Sequence, residues 1–266
     1  MEIKNSHFMI TGSNRGIGKA VALMAAKEGA HLYLANRSLK EKSKLEAELL
    51  KAGASSVKSF ELDLGDRKSI EAVWKSLKNT EIDLLFNNAG QLTGGLLEDQ
   101  QPDEIDSMFY VNLNALVHMT RAVLPQMIQR GSGKIINHSS VSAVMPFPGA
   151  STYAASKAAV RAFTRCLQYE LKGTGVTTLT LVTGGIETRM FNEIPEKFGS
   201  FLDVSDLKAM SPEDYAERIR DAVLEDAEEL IPTGLNLLGY TIASYLPKLY
   251  RKGVELRFKR PAAKKT

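Results

Sequence analysis

Cysteine is nearly absent: the 266 residues carry one, Cys166, which excludes an intrachain disulfide and fits a reducing compartment. Cys166 lies among helix-forming residues with no histidine near it in sequence, reads as a small buried hydrophobe and receives no chemistry. Met1 to Ser6 run straight into the strand-like His7-Phe8-Met9-Ile10 without an apolar run or small-residue cleavage site, so the expected location is cytoplasmic. An excess of charge of one sign is lacking too: the formal net charge is +3, too small to argue for a nucleic-acid partner. His7, His31 and His118 show no metal-ligand spacing, and no metal is expected. Repeats and low-complexity linkers are missing before the last few residues. With 44% hydrophobic and 24% charged residues, the composition is that of an ordinary globular chain able to bury one large core.

What the chain does contain is alternation. Short β-branched or apolar runs are separated by longer stretches of helical period, as in βαβ units feeding a parallel sheet. Seven strands are predicted, centred on Phe8 to Ile10, Leu32 to Leu34, Val57 to Leu62, Ile82 to Phe86, Lys134 to Asn137, Val176 to Leu181 and Glu229 to Ile231. Helices are predicted to begin near Gly16, Leu39, Asp66, Pro102, Thr152 and Pro212. Pro102 and Pro212 suit a first helical position, and Ser211 with Asp214 resembles a capping box. The expected fold class is α/β, a single doubly wound Rossmann-type domain whose seven-stranded parallel sheet is flanked by helices. That domain is expected over residues 1–234, an apolar and basic extension over 235–260, and a disordered tail over 261–266.

Directly after the first strand comes Gly12-Ser13-Asn14-Arg15-Gly16-Ile17-Gly18, followed by a helical stretch. Glycine lets a backbone turn tightly and approach a pyrophosphate, while the free N–H groups and positive end of the following helix hold the anion. The spacing, Gly-x3-Gly-x-Gly, departs from the general dinucleotide fingerprint and is by itself a moderate signal. Further on stand Asn87-Asn88-Ala89-Gly90 after the fourth strand and Tyr153-Ala154-Ala155-Ser156-Lys157. With these three motifs in order, the chain resembles the short-chain dehydrogenase/reductase family from about Phe8 to Met190, and loosely to about Ile231.

The resemblance implies a nicotinamide dinucleotide, and the second strand suggests which one. It ends Asn36-Arg37-Ser38, with no carboxylate to repel a ribose 2′-phosphate and with Arg37 placed to pair with it, so NADP(H) is expected; Arg15 points the same way. By resemblance, Asp63 and Leu64 should meet the adenine, and Asn87, Ala89 and Gly90 should line the adenosine side. Asn87 and Gly90 also read as turn formers. After the sixth strand the family's Pro-Gly-x-Ile/Val-x-Thr is represented by Thr183-Gly184-Gly185-Ile186-Glu187-Thr188. Gly184, Ile186 and Thr188 are expected at the nicotinamide, and loss of the proline at Thr183 suggests a more mobile loop.

Tyr153 and Lys157, four apart on a helix, project from one face one turn from each other. A phenol with a pKa of about 10 is a poor acid–base catalyst at neutral pH, and a neighbouring ammonium would ease its ionisation. Tyr153 is therefore expected as general acid/base, with Lys157 as its cationic partner. Ser140, at the end of the fifth strand, matches the family's catalytic serine and could donate to the substrate oxygen, with Ser139 as the neighbouring alternative. Asn112 matches the fourth catalytic member, and otherwise reads as a polar residue at a helix kink. His138 beside two serines suggests a hydrolase triad, but adjacent residues on a strand face opposite ways, which argues against it.

Two apolar segments are expected to wall the substrate: Val144, Met145 and Phe147, and Met190 and Phe191 running on through Ile194, Phe198, Phe201 and Leu202. The expected activity is hydride transfer between NADP(H) and a hydrophobic ketone, aldehyde or secondary alcohol, lipid- or steroid-like. A 3-oxoacyl thioester reductase of fatty-acid synthesis and a non-catalytic nucleotide-binding scaffold are the alternatives. Small and apolar residues on several sides of two helices, among them Phe109, Leu116, Ala155, Ala158, Ala159 and Ala162, together with the resemblance imply a homodimer or homotetramer. From Lys248 onward eight Lys or Arg face one Glu, leaving 26 basic and 30 acidic residues before it. The extension is expected to close over the site as a lid, with peripheral contact to an anionic membrane as the alternative.

Overall fold

Successive residues of the first strand part company across the sheet. Phe8 and Ile10 enter one apolar core with Ile17, Val21, Leu45, Leu49 and Ile219, while Met9 enters another with Ile70, Val73, Met119, Val123 and Leu167. Leu84 and Phe86 likewise go one way and Leu85 the other, so a strand buried on both faces reads as an unbroken apolar run. The computed structural model describes residues 1–204 and 207–261. Most of the expected disordered tail, 262–266, lies outside the described residues.

The elements follow the expected alternation: β1 (His7–Thr11), α1 (Gly16–Lys27), β2 (His31–Asn36), α2 (Lys42–Ala52), β3 (Ser56–Glu61), α3 (Arg67–Ser76) and β4 (Leu84–Asn87). Next come α4 (Pro102–Phe109), α5 (Ala115–Arg130), β5 (Gly133–His138), α6 (Ser151–Glu170), β6 (Val176–Leu181), α7 (Arg189–Asn192), α8 (Ile194–Phe198) and α9 (Pro212–Leu224). The chain then forms β7 (Glu229–Leu230), α10 (Gly234–Tyr245) and α11 (Pro247–Arg257). The seven strands are all parallel, in the order β3-β2-β1-β4-β5-β6-β7. The winding reverses between β1 and β4, and a crevice at such a switch point, outside the carboxyl ends of the strands, is where ligands bind in sheets of this kind.

Local chemistry explains several boundaries. Asp66 caps α3 by accepting from the Lys68 N–H at 2.9 Å. Ser211 caps α9 by accepting from the Asp214 N–H at 3.0 Å, and the Asp214 carboxylate accepts the Ser211 hydroxyl at 2.7 Å, a side-chain version of the expected capping box. The helix expected near Leu39 starts at Lys42, because Leu39 to Lys42 form a separate hydrogen-bonded turn first. The helix from Pro102 is interrupted: a π-helical turn over Tyr110–Asn114, closed by the Ala115 N–H reaching back to the Tyr110 carbonyl, separates α4 from α5. Leu116, expected at a subunit contact, is buried within the chain, whereas Ala155 and Ala162 are exposed on α6, as is Cys166, which was expected to be buried but falls on the outward side of that helix. The short helices α7 and α8 were not foreseen. They lie where a continuous apolar loop was expected.

Candidate active site

Thr11 ends β1 and the chain turns at once through Gly12, at φ +67°, and Gly16, at φ +53°, both in the left-handed region that glycine occupies without strain. Gly18, already inside α1, has no room for a side chain: a Cβ there would stand 2.2 Å from the Gly12 carbonyl oxygen and 2.6 Å from the Asn88 amide. Arg15 stands at the N-cap without a side-chain cap bond, so the first N–H groups of this 12-residue helix stay free for an anion. The cradle therefore fits a dinucleotide pyrophosphate. Asn36 is buried, and its carbonyl oxygen accepts from the Ser13 and Asn14 N–H groups at 2.8 and 3.1 Å. Its side chain shapes the turn from below, so recognition beyond β2 falls to the exposed Arg37 and Ser38. Arg15 is also exposed.

The Asn87-Asn88 pair divides its labour. The Asn87 amide, expected on the adenosine side, is buried and donates to Thr120 and Asn137 at 3.1 and 2.9 Å, tying β4 to α5 and β5. Only its backbone is left for a ligand. Asn88, which sequence reasoning passed over, donates to the Thr11 and Gly12 carbonyls at 2.9 and 3.1 Å. Its own carbonyl oxygen sits 3.3 Å from His138 Nδ1, so one side chain braces the glycine turn against β5. Thr11 reinforces this by accepting from the Asn88 and Ala89 N–H groups. Asp63, just beyond β3, is exposed and accepts from the Gly65 N–H at 2.8 Å, with Leu64 beside it.

Beyond β5 the two serines separate as strand alternation requires. Ser139 donates to the Lys157 carbonyl at 2.8 Å, locked against α6. Ser140 lies on the side of Tyr153, near enough to its phenol to pull the phenol's pKa down. The Ser140 oxygen accepts from the Ser142 N–H at 3.2 Å, an arrangement that leaves its proton available to a substrate oxygen. Lys157 Nζ lies 5.8 Å from the Tyr153 ring centre and donates to the His138 carbonyl at 2.8 Å. Asn112, inside the π-helical turn, accepts from the Gln91 N–H at 2.8 Å and donates to Ser156. A Cβ on Gly90 would meet Asn112 Oδ1 at 3.2 Å and Lys157 Nζ at 3.5 Å, which places all three at one point.

The electrostatics differ from expectation. Burial pushes the Tyr153 phenol up to about 12, with the Ser140 hydroxyl pulling the other way. Lys157 is pulled down to about 8, also by burial. In the protein alone, desolvation outweighs the ammonium's attraction for a phenolate, because the ammonium is spent on a backbone carbonyl and stands across the ring rather than at the oxygen. Tyr153 is thus held protonated at neutral pH, as a proton donor. His138 is held neutral, with its pKa lowered to about 3 first by burial and then by the Lys157 charge. Its ring stacks near Phe86 and contacts Asn88, and neither serine lies within its hydrogen bonds.

That shift has a consequence for stability. A histidine whose folded pKa lies below its unfolded value of 6.5 contributes stability above pH 6.5 and loses it as pH falls toward 3. Acidifying from pH 7 to 5 should therefore cost about 2 kcal/mol through this group alone. His138→Gln should flatten that part of the profile in urea melts at the two pH values; an unchanged slope would refute the assignment.

The loop after β6 is tied down rather than loosened. Thr183, in place of proline, shares a 2.8 Å hydrogen bond with the buried Tyr215 hydroxyl of α9. Met210 pairs with this loop, donating its N–H to Gly185 O and accepting from the Glu187 N–H at 3.0 and 2.9 Å. Cross-links to α9 and to Met210 thus replace the stiffness of the missing ring. Thr188 caps α7, and Ile186 is buried. Of the expected substrate wall, Phe198 and Phe201 are buried in a small core around Ala150, with Ile194 and Leu202 packed against it, because edge-on contacts link Phe147, Phe198, Phe201 and Phe258. Val144, Met145, Phe147, Met190 and Phe191 stay partly exposed.

The C-terminal extension is a helical hairpin. α10 faces the site's border through Asn236 beside Gly184 and Gly239 against Met145, and α11 through Tyr250, which donates to the Pro146 carbonyl at 3.2 Å. Arg161 of the Tyr153 helix forms a two-pronged ion pair with Glu229 at 2.7 and 3.3 Å and reaches Tyr240 at 3.2 Å, so α6, β7 and α10 are joined. Among the described residues no helix is long and apolar enough to cross a membrane.

A doubly wound parallel sheet with a glycine cradle and a Ser-Tyr-Lys cluster at its carboxyl edge defines the class of dinucleotide-dependent oxidoreductases. The sequence profile of the short chain dehydrogenase family matches residues 6–198. An uncharacterized oxidoreductase of Staphylococcus aureus (strain N315) is 32% identical over 219 residues, 82% of this chain and 90% of its own. The 3-oxoacyl-(acyl-carrier-protein) reductase FabG of Thermotoga maritima is 36% identical over 201 residues, covering 74% and 80% of the two chains. A short-chain dehydrogenase from Streptomyces avermitilis superposes with a TM-score of 0.80 at 26% identity, over 95% and 96% of the two chains. An alcohol dehydrogenase from the archaeon Thermococcus sibiricus, complexed with 5-hydroxy-NADP, reaches 0.74 at 26% identity, over 85% and 95%. The chain belongs to the short-chain dehydrogenase family: it is an oxidoreductase that uses a nicotinamide dinucleotide on a small substrate.

Proposed function

We propose that this chain is an NADP(H)-dependent reductase or dehydrogenase that interconverts a hydrophobic ketone or aldehyde and its alcohol, lipid- or steroid-like in character. The observation that carries the reading is the convergence of Ser140, Tyr153 and Lys157, with Lys157 against Gly90. When bound, the nicotinamide supplies or takes up the hydride. Tyr153 gives a proton to the substrate oxygen in reduction and takes one in oxidation, and the Ser140 hydroxyl donates to that oxygen as charge develops on it. Lys157 holds a positive charge at neutral pH one helical turn from Tyr153, and Asn112 positions the adjoining backbone through Gln91.

Gly12 to Gly18 would hold the pyrophosphate, Asp63 and Leu64 the adenine, and the Ala89 and Gly90 backbone the adenosine side. Gly184, Ile186 and Thr188 would border the nicotinamide. Preference for NADP(H) is supported by Arg15 and Arg37, exposed at the ends of the turn and of β2 with no ion-pair partner among the described residues. The partly exposed Val144, Met145, Phe147, Met190 and Phe191 favour an apolar substrate. The α10–α11 hairpin is assigned as the lid of this site on residues 235–260, and the exposed small-residue side of α6, with Ala155 and Ala162, as the contact of a homodimer or homotetramer. The likeness to the Thermotoga reductase supports a second reading, reduction of a 3-oxoacyl thioester.

The test is a panel of hydrophobic ketones, aldehydes and 3-oxoacyl thioesters followed by NADPH absorbance, with NADH as control. Turnover of apolar carbonyls with NADPH is expected; cofactor binding without turnover of any carbonyl would leave a scaffold instead. Arg37→Glu should raise the KM for NADPH by roughly 10- to 100-fold, because a charge-assisted hydrogen bond is replaced by repulsion, with little change for NADH. Equal effects on both cofactors would reject the 2′-phosphate role.

A further inference from the structure

α10 is the only α-helix among those described with no charged residue in its sequence, Gly-Leu-Asn-Leu-Leu-Gly-Tyr-Thr-Ile-Ala-Ser-Tyr. Its inner side is accounted for by Asn236, Gly239, Tyr240 and the buried Ala243. Its outer side presents Leu235, Leu238 and Tyr245, the last 79% exposed. α11 repeats the division. Tyr250, Val254 and Phe258 are partly buried against the body, while Leu249 and Leu256, seven residues apart and so on one face, are 55% and 84% exposed beside Lys248 and Lys252. Half of the exposed large hydrophobic residues among those described fall between Leu235 and Leu256. Scattered exposed leucines need no explanation, but a run of them on one hairpin marks a contact surface.

We infer that the outer face of the α10–α11 hairpin docks on an anionic membrane surface. The charges select this occupant. Between Lys248 and Arg260 six cations stand with the single carboxylate of Glu255, which pairs with Arg251 at 3.6 Å; Arg260 pairs with Glu98 of the body, and Lys248, Lys252, Arg257 and Lys259 have no ion-pair partner among the described residues. Leucine and tyrosine side chains entering the headgroup boundary, with lysines at its edge, form the pattern of a helix lying in a membrane interface. The residues before Lys248 are net acidic, 26 basic against 30, so repulsion of the body orients the hairpin toward the lipid. A two-fold contact with a second copy would set Lys248 and Lys252 against themselves, and nucleic acid would leave the leucines unburied. The inner faces of the same helices rest on Met145, Pro146 and Gly184, so the docked enzyme turns the border of its site toward the bilayer. Lid and membrane contact are thus two faces of one element. The docking holds independently of which carbonyl, if any, is turned over.

Sedimentation of the full chain with sucrose-loaded phosphatidylcholine vesicles, with and without phosphatidylglycerol, tests this. Binding is expected only with phosphatidylglycerol and should fall with added salt. Leu249→Glu with Leu256→Glu should abolish it, and Lys248→Glu with Lys252→Glu should lower partitioning by about tenfold or more. Because these positions are exposed, melting temperature and NADPH binding should be unchanged in both variants, which separates lost docking from misfolding. Absence of binding at low salt, or binding that survives the leucine substitutions, overturns the inference. So does a wild-type oligomer that the leucine substitutions convert to monomer without any vesicle binding, which would assign the face to a second copy.

Discussion

Tyr153→Phe should reduce turnover by about 10²- to 10⁴-fold, the contribution expected of a positioned acid–base group, while NADPH binds as in the unaltered chain. The substitution removes one oxygen and keeps the ring, so Lys157 retains its bond to the His138 carbonyl and Ser140 retains its turn through Ser142. The loss should appear in kcat with KM little changed, since the phenol acts on charge that develops only as the reaction proceeds. Stopped-flow turnover beside fluorescence titration of NADPH distinguishes the outcomes. A variant that turns over normally would remove Tyr153 from the mechanism, and one that fails to bind NADPH would make it a structural residue. Because burial alone drives the phenol upward to about 12, the apo protein is prepared for donation, and alcohol oxidation should demand higher pH than carbonyl reduction.

Gly18→Ala should produce the largest effect outside the catalytic cluster. The added carbon would stand 2.2 Å from a backbone oxygen, which cannot rotate away as a side chain could, so α1 must move off the Gly12 turn or the turn must open. Overpacking of this kind costs about 1–3 kcal/mol. The displacement falls on the helix end assigned to the pyrophosphate, so NADPH affinity should drop more than stability does. Thermal melting with and without NADPH reads both: the variant should melt lower and gain little from cofactor. Stabilisation by NADPH equal to that of the unaltered chain would show that the cradle does not hold the phosphates.

The strands were legible because a sheet covered on both faces needs continuous apolar runs, as in Leu84-Leu85-Phe86, and these stand out against helical periodicity. Helix starts were legible where a proline or a capping serine stood at the boundary, as at Pro102 and Pro212. The site was partly legible. Alternation along β5 separates Ser139 from Ser140, and the four-residue spacing brings Lys157 to Tyr153, both local properties of the backbone. Asn36 and Asn87 were assigned toward a ligand, yet their side chains turn inward, since a polar side chain at a strand end can face either way and nothing local decides it. Asn88 went unseen for the same reason: its partners Thr11, Gly12 and His138 are some 50 to 77 residues distant. Phe198 and Phe201 have the composition of a substrate wall, but the Gly94 and Gly149 backbones, close to their rings, make room for them in a core.

By itself the sequence determined the alternation of strands and helices, the tight turn at Gly12 to Gly18 and the placing of Tyr153 over Lys157, because these depend on backbone periodicity and steric freedom within a few residues. Only the tertiary structure decided the acidity of that tyrosine, the anchoring of Thr183 by Tyr215 and which side of the C-terminal helices is left bare. Each of these depends on how much water neighbouring elements exclude, and that is settled only when distant segments pack together.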